Sequence, residues 1–147
     1  MSADPFQNRQ AMSAIRVRND LSELARLSEF VQSFFKDNTL PSDPAGDCEL
    51  ALEEIFVNVV RYGFPSGGEH WIKVDVNLSN HFVTIAVEDE GVAFDPLGAE
   101  LVDLDLPLEE RKAGGLGLHL VKGVMDELEY AYVNGRNRMV MRKQVTR

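Results

Sequence analysis

The chain has 147 residues, 44% of them apolar, which is the length and composition of one globular domain, expected to span residues 1–147. A formal charge of −9 disfavours a phosphate backbone or an anionic membrane surface as a direct partner. The single cysteine, Cys48, excludes a disulfide framework within the chain, and residues 1–10 lack the basic-then-apolar pattern of a secretory leader, so a reducing, cytoplasmic setting is expected.

In chain order, residues 12–18 alternate well enough for a strand. Asp20 and Glu23 form a capping-box spacing that opens a helix running to about Lys36, with Leu21, Leu24, Leu27, Val31 and Phe34 or Phe35 at helical spacing. Two prolines and several turn residues make 38–44 a break. A second helix is predicted over 47–62, ended by Gly63 in a left-handed position. Residues 71–78 and 82–88 alternate around Ser79-Asn80 and predict a β-hairpin. The connection 97–114, acidic early and basic late, is too long for an idle loop and reads as a candidate lid. A third helix is predicted over 116–128, and strands over 129–133 and 138–143 join through Asn134-Gly135, a strong hairpin signal. Helices and strands do not alternate as βαβ units, so an α+β layer fits best.

Three polar features stand out. On a helical wheel Glu54, Asn58 and Arg61 share a narrow arc opposite Leu52, Ile55, Phe56 and Val59. That stripe reads either as a solvated face or as the wall of a pocket. In the second case Asn58 offers a neutral oxygen to Mg²⁺, Glu54 a base one turn earlier, and Arg61 a phosphate partner one turn later. Asp89-Glu90-Gly91 directly follows a strand. It is either an everyday turn or a carboxylate placed to accept from an exocyclic amine such as that of adenine, beside a glycine that admits a flat base. Gly114-Gly115-Leu116-Gly117-Leu118-His119 opens the third helix, as packing glycines or as free N–H groups for an anion. It is neither a Walker A loop nor a dinucleotide fingerprint. His70 and His81 sit near strand ends and read as exposed polar positions; His119 reads as solvent-facing.

In order and spacing these features resemble the motif set of the GHKL superfamily of ATP-binding proteins. Glu54-x-x-x-Asn58 resembles its N box, Asp89-x-Gly91 its G1 box and Gly115-x-Gly117 its G2 box. The runs from Glu53 to Gly63 and from Gly114 to Val121, with Met125 to Tyr130 and Asn137 beyond, are most similar to the bacterial anti-sigma-factor serine kinases of partner switching. The resemblance implies a Bergerat-type two-layer α+β sandwich, a mixed but mainly antiparallel sheet with about three helices on one face. It implies ATP and Mg²⁺ as cofactors, Asn58 as metal ligand and Glu54 as general base. The implied nucleotide-binding set is Asn58, Arg61, Tyr62, Asp89, Gly91, Phe94, Gly115, Leu116, Gly117 and Leu118. Arg111 and Lys112, in the lid, would reach the γ-phosphate. An anti-anti-sigma antagonist of the STAS type is the implied substrate, a sigma factor the implied sequestered partner, and a homodimer the implied assembly. Tyr62 stands where that subgroup commonly has histidine, and Phe64 where it often has tyrosine. Two other readings stay open: a non-catalytic ATP-dependent partner switch, and the detached catalytic domain of a histidine kinase.

Overall fold

The computed structural model describes residue 4, residues 6–94 and residues 115–146, with side chains from Leu120 onward in the last helix. The lid expected over 97–114, with Arg111 and Lys112, and the side chain of His119 lie outside the described residues.

Five strands form one sheet in the order β1-β2-β3-β5-β4: β1 Gln10–Arg18, β2 Trp71–Ser79, β3 Phe82–Asp89, β4 Glu127–Val133 and β5 Arg136–Gln144. Each of the four pairings is antiparallel, where the sequence had suggested a partly mixed sheet. Three helices, α1 Leu24–Asp37, α2 Ser42–Tyr62 and α3 Gly115–Val124, complete the α+β layer. The period-two pattern explains why one face is covered. Ile72, Val74, Val76 and Leu78 of β2 are fully buried, as are Val83 and Ile85 of β3, while the alternate residues face away. Against them α1 sets Leu27, Val31, Phe34 and Phe35, and α2 sets Leu52, Ile55 and Phe56. Each such side chain contributes about 1.5–3 kcal/mol by leaving water. Truncating the fully buried Phe56 to alanine would cost about 3–5 kcal/mol, more than any surface change in the molecule.

Helix ends depart from expectation for local reasons. Asp20 Oδ1 does cap, accepting from Ser22 N at 2.8 Å, but Glu23 reaches back to Arg18 N at 2.8 Å instead of closing the box, and a single 3-10 turn precedes α1. α2 starts five residues earlier than predicted, at Ser42. Pro44 is its third residue, where no intrahelical N–H bond is lost. Gly63 follows α2 with φ −75° and is not left-handed. Its lack of a side chain answers to space instead, since a Cβ would sit 2.7 Å from the Val59 carbonyl oxygen. α3 ends at Val124 and β4 begins at Glu127, so the third helix is shorter and the fourth strand longer than the sequence suggested. The β4–β5 turn is as predicted, with positive φ at Asn134 and Gly135.

Candidate functional site

α2 crosses the covered face of the sheet and delivers Asn58 to the ends of β3 and β5. Asn58, Ile55, Val59 and Gly63 of the α2 region, Val87, Asp89 and Phe94 at the exit of β3, and Tyr130, Asn137 and Met139 from the last hairpin line one cleft. It encloses about 380 Å³, its open mouth included.

The α2 stripe is not a solvated face throughout. Asn58 is 5% exposed, and its Oδ1 has no hydrogen-bond partner among the described residues. A buried carbonyl oxygen left so costs about 1–3 kcal/mol, so a ligand that supplies a positive or donor group here repays a standing debt. Glu54, one turn earlier, is half-buried. Its neighbour Glu53 has its carboxyl pushed above the usual range by burial first, then by the charges of Glu49 and Glu54. Arg61 is exposed at the helix end, and Tyr62 is half-buried with its ring centroid 5.9 Å from that of Phe94.

At the other wall Asp89 is 4% exposed. Its Oδ1 accepts from Gly91 N at 2.8 Å and from Asn137 Nδ2 at 3.0 Å. Burial raises its pKa above the ordinary carboxylate range, and the Asn137 and Gly91 hydrogen bonds pull the other way. Oδ2 accepts nothing from the described residues, so it is the oxygen available to a ligand's amine. Gly91 is required by close approach: a Cβ there would lie 2.3 Å from the Gly63 carbonyl oxygen and 2.9 Å from Asp89 Oδ1. Val92 N donates to that same Gly63 oxygen at 2.8 Å, so the end of α2 and the exit of β3 meet backbone to backbone.

Of the predicted site residues, then, Asn58, Asp89 and Phe94 share one cleft, with Gly91 and Tyr62 against its rim and Glu54 a turn away. Gly115, Leu116, Gly117 and Leu118 form the first turn of α3, where the described backbone offers free N–H groups at a helix start. α3 packs on α2, which carries Asn58. A match to the model of the histidine kinase-like ATPase domain covers residues 17–143. The chain belongs to that family.

The chain also resembles named proteins in sequence. It is 28% identical over 92 residues to the serine/threonine-protein kinase BtrW of Bordetella bronchiseptica, covering 63% of this chain and 65% of that one. It is 32% identical over 93 residues to the serine-protein kinase RsbW of Halalkalibacterium halodurans, covering 59% and 55% respectively. To the anti-sigma F factor of Clostridium beijerinckii it is 22% identical over 102 residues, covering 69% and 71%. The chain thus spans less than two thirds of the length of the first two relatives. In fold it is similar to the structure of the RsbU and RsbW domains of Rv1364c from Mycobacterium tuberculosis. That likeness has a TM-score of 0.67 at 14% identity and covers 93% of this chain and 32% of that one.

Tyr130 and Asn137 were missed as site residues, although both belong to the segments similar to the kinase family. The signal for Asn137 was available: Asn137, Met139 and Met141 are the inward set of β5, and an amide in an otherwise apolar inward row needs a partner. His70 and His81 are half-buried instead of simply exposed. His70 stacks on Phe64 at 4.3 Å, and His81 bridges Asp4 and Thr146, each at 2.6 Å. Neither lines the cleft.

Proposed function

We propose that this chain binds ATP with Mg²⁺ in the cleft between α2 and the β3–β5 wall and transfers the γ-phosphoryl group to a serine or threonine of a protein partner. The observation that carries the reading is Asn58 Oδ1, buried and without a partner among the described residues, in the lining of the cleft that Asp89 closes on the opposite side. An amide oxygen suits Mg²⁺, a hard cation that takes oxygen ligands and keeps several waters. When bound, the ion neutralises phosphate charge, which is the main demand of phosphoryl transfer.

The chain's own residues supply the rest. Asp89 Oδ2 accepts from the 6-amino group of adenine, and Gly91, lacking a side chain, leaves the space beside that carboxylate clear. Phe94 and Tyr62 flank the base. Gly115, Leu116, Gly117 and Leu118 present backbone N–H groups to phosphate at the start of α3, and Arg61 stands at the solvent end of α2 as a phosphate partner. Glu54, one turn from Asn58, takes the proton from the attacking hydroxyl. The names of the relatives, serine-protein kinases and an anti-sigma F factor, support a partner-switching role. In that role the phosphate acceptor is an anti-anti-sigma antagonist, a sigma factor is the sequestered partner, and the working form is a homodimer.

Calorimetric titration with ATP, with and without Mg²⁺, on the parent and on Asn58→Ala tests the pocket. Saturable Mg²⁺-dependent binding that collapses in the variant is expected, and a parent that binds no ATP sinks the reading. Glu54→Gln then tests catalysis, since it should bind ATP as the parent does and lose transfer to the antagonist. Equal transfer by that variant removes Glu54 from the base role. A parent that binds ATP and transfers nothing leaves a nucleotide-dependent binding switch.

A further inference from the structure

Asn137 is 6% exposed and uses both ends of its amide. Nδ2 donates to Asp89 Oδ1 at 3.0 Å and to the Val92 carbonyl at 2.8 Å, with the Gly91 carbonyl at 3.4 Å. Oδ1 accepts from Phe94 N at 3.1 Å and, through a very short bond, from the Tyr130 hydroxyl. The amide orientation is fixed by its surroundings. Turning it over would set its oxygen against the Asp89 carboxylate and the Val92 carbonyl, and its NH₂ against the Phe94 N–H. One side chain therefore grips the last residue of β3 and the turn that leaves it.

We propose that Asn137 is a positioning residue that couples base reading to the β3 exit: it fixes the Asp89 carboxylate for the purine and ties the 91–94 turn, with the Phe94 ring, to the same point. The proposal rests on the nucleotide reading of the cleft for its first half and on geometry alone for its second. Held from one side by Gly91 N and Asn137 Nδ2, the carboxylate keeps Oδ2 as a fixed acceptor, which favours a 6-amino purine over a 6-oxo purine. Because the same amide holds Phe94 N, both directly and through the Tyr130 hydroxyl that it orients and that accepts from Phe94 N at 3.2 Å, base binding and the conformation of the turn stabilise each other, and the coupling works in both directions.

Two substitutions separate the halves. Asn137→Asp has the same shape and keeps an acceptor for Phe94 N and the Tyr130 hydroxyl, but it removes the donor to Asp89 and to the Val92 and Gly91 carbonyls and sets a second carboxyl against Asp89. Asn137→Ala removes both. The ratio of ATP to GTP affinity, measured by calorimetry, is expected to fall about tenfold or more in both variants, the scale of one hydrogen bond to a charged group. Hydrogen exchange at the Phe94 amide, followed without nucleotide, is expected to accelerate about tenfold in Asn137→Ala and to stay near the parent's rate in Asn137→Asp. Circular dichroism verifies the fold of each, and Asn137→Ser, expected to lower the ratio and speed Phe94 exchange, replaces any variant that does not fold. A folded Asn137→Ala that keeps the parent's affinity ratio and Phe94 exchange within about twofold overturns the proposal. An unchanged ratio in Asn137→Asp overturns its base-reading half. A parent that binds no ATP removes the nucleotide reading and that half with it, and the exchange experiment still decides the tether.

Discussion

The two walls of the cleft are built on opposite principles. At the β3–β5 wall the polar groups hold one another: Asp89, Gly91, Asn137, Tyr130 and the Phe94 N–H form one connected set buried among apolar neighbours. On α2 the functional groups are left open. Asn58 Oδ1 is buried without a partner, and Glu54 makes no hydrogen bond or ion pair among the described residues. A satisfied network stiffens a site and stabilises the fold with the same bonds. An unsatisfied group lowers stability until a ligand completes it. Stability and function should therefore move together at one wall and apart at the other.

Between the two walls, the larger effect is expected at the first. Gly91→Ala forces a Cβ against the Gly63 carbonyl, and neither backbone can yield without moving α2 or β3. It should cost about 3 kcal/mol and roughly 10 °C in melting temperature, with ATP binding lost alongside. A calorimetric scan that finds the midpoint unmoved would break the comparison.

Asp89→Asn sharpens it. ATP affinity should fall about 10- to 100-fold by titration, the range for a hydrogen bond to a charged partner. The buried charge is the one part of this wall that weighs against stability, and it does so in a pH-dependent way. Burial raises the folded-state pKa of Asp89 above its ordinary 3.8, so the folded protein holds this proton more tightly than the unfolded chain. That contribution is fully present below the ordinary pKa and is lost as pH rises through the raised value. Asp89→Asn is free of this loss, so its stability relative to the parent should improve between about pH 4 and neutrality in denaturant titrations. A variant that loses stability relative to the parent over that window contradicts the assigned environment.

The α2 wall gives a smaller change in stability. Asn58→Leu replaces a partnerless oxygen with an apolar group of similar size, and should leave stability unchanged or raise it by about 1 kcal/mol while abolishing Mg²⁺-dependent ATP binding. Destabilisation by several kcal/mol would mean that the oxygen is already satisfied. The smallest effect belongs to Cys48, outside both walls. It is fully buried, and burial pushes its thiol up to about 12, so thiol reagents should leave the native protein unlabelled until denaturant is added.

Much of this was legible in the sequence because periodicity is a local property. The inward rows of β2 and β3 and the apolar stripes of α1 and α2 were visible as alternation and helical spacing, and Asn134-Gly135 named its own turn. The failures have a common cause in contacts between distant segments. A helical wheel set Asn58 opposite the core, yet the sheet continues beneath that side of α2 and buries it. Pro44 was counted as a breaker because its position relative to a helix start cannot be known before the start is. Gly91 was given a role toward a ligand when what requires it is also the Gly63 carbonyl, 28 positions earlier in the chain. Apart from Tyr130, seven residues back, Asn137 works through partners 43 to 48 residues away, and no short window of sequence contains both ends of such bonds.

The contact between Gly63 and the 91–92 turn also limits how this site could be moved or rebuilt. A designer who copied only the Asn58 helix, or only the strand that ends in Asp89, into another scaffold would carry half of a joint. The two segments meet at van der Waals distance through bare main chain, with Val92 N on Gly63 O and no side chain between them to absorb a mismatch. A graft would have to reproduce the helix-to-strand distance to within a few tenths of an ångström. The smallest transferable unit is therefore the pair of segments together, with both glycines in place.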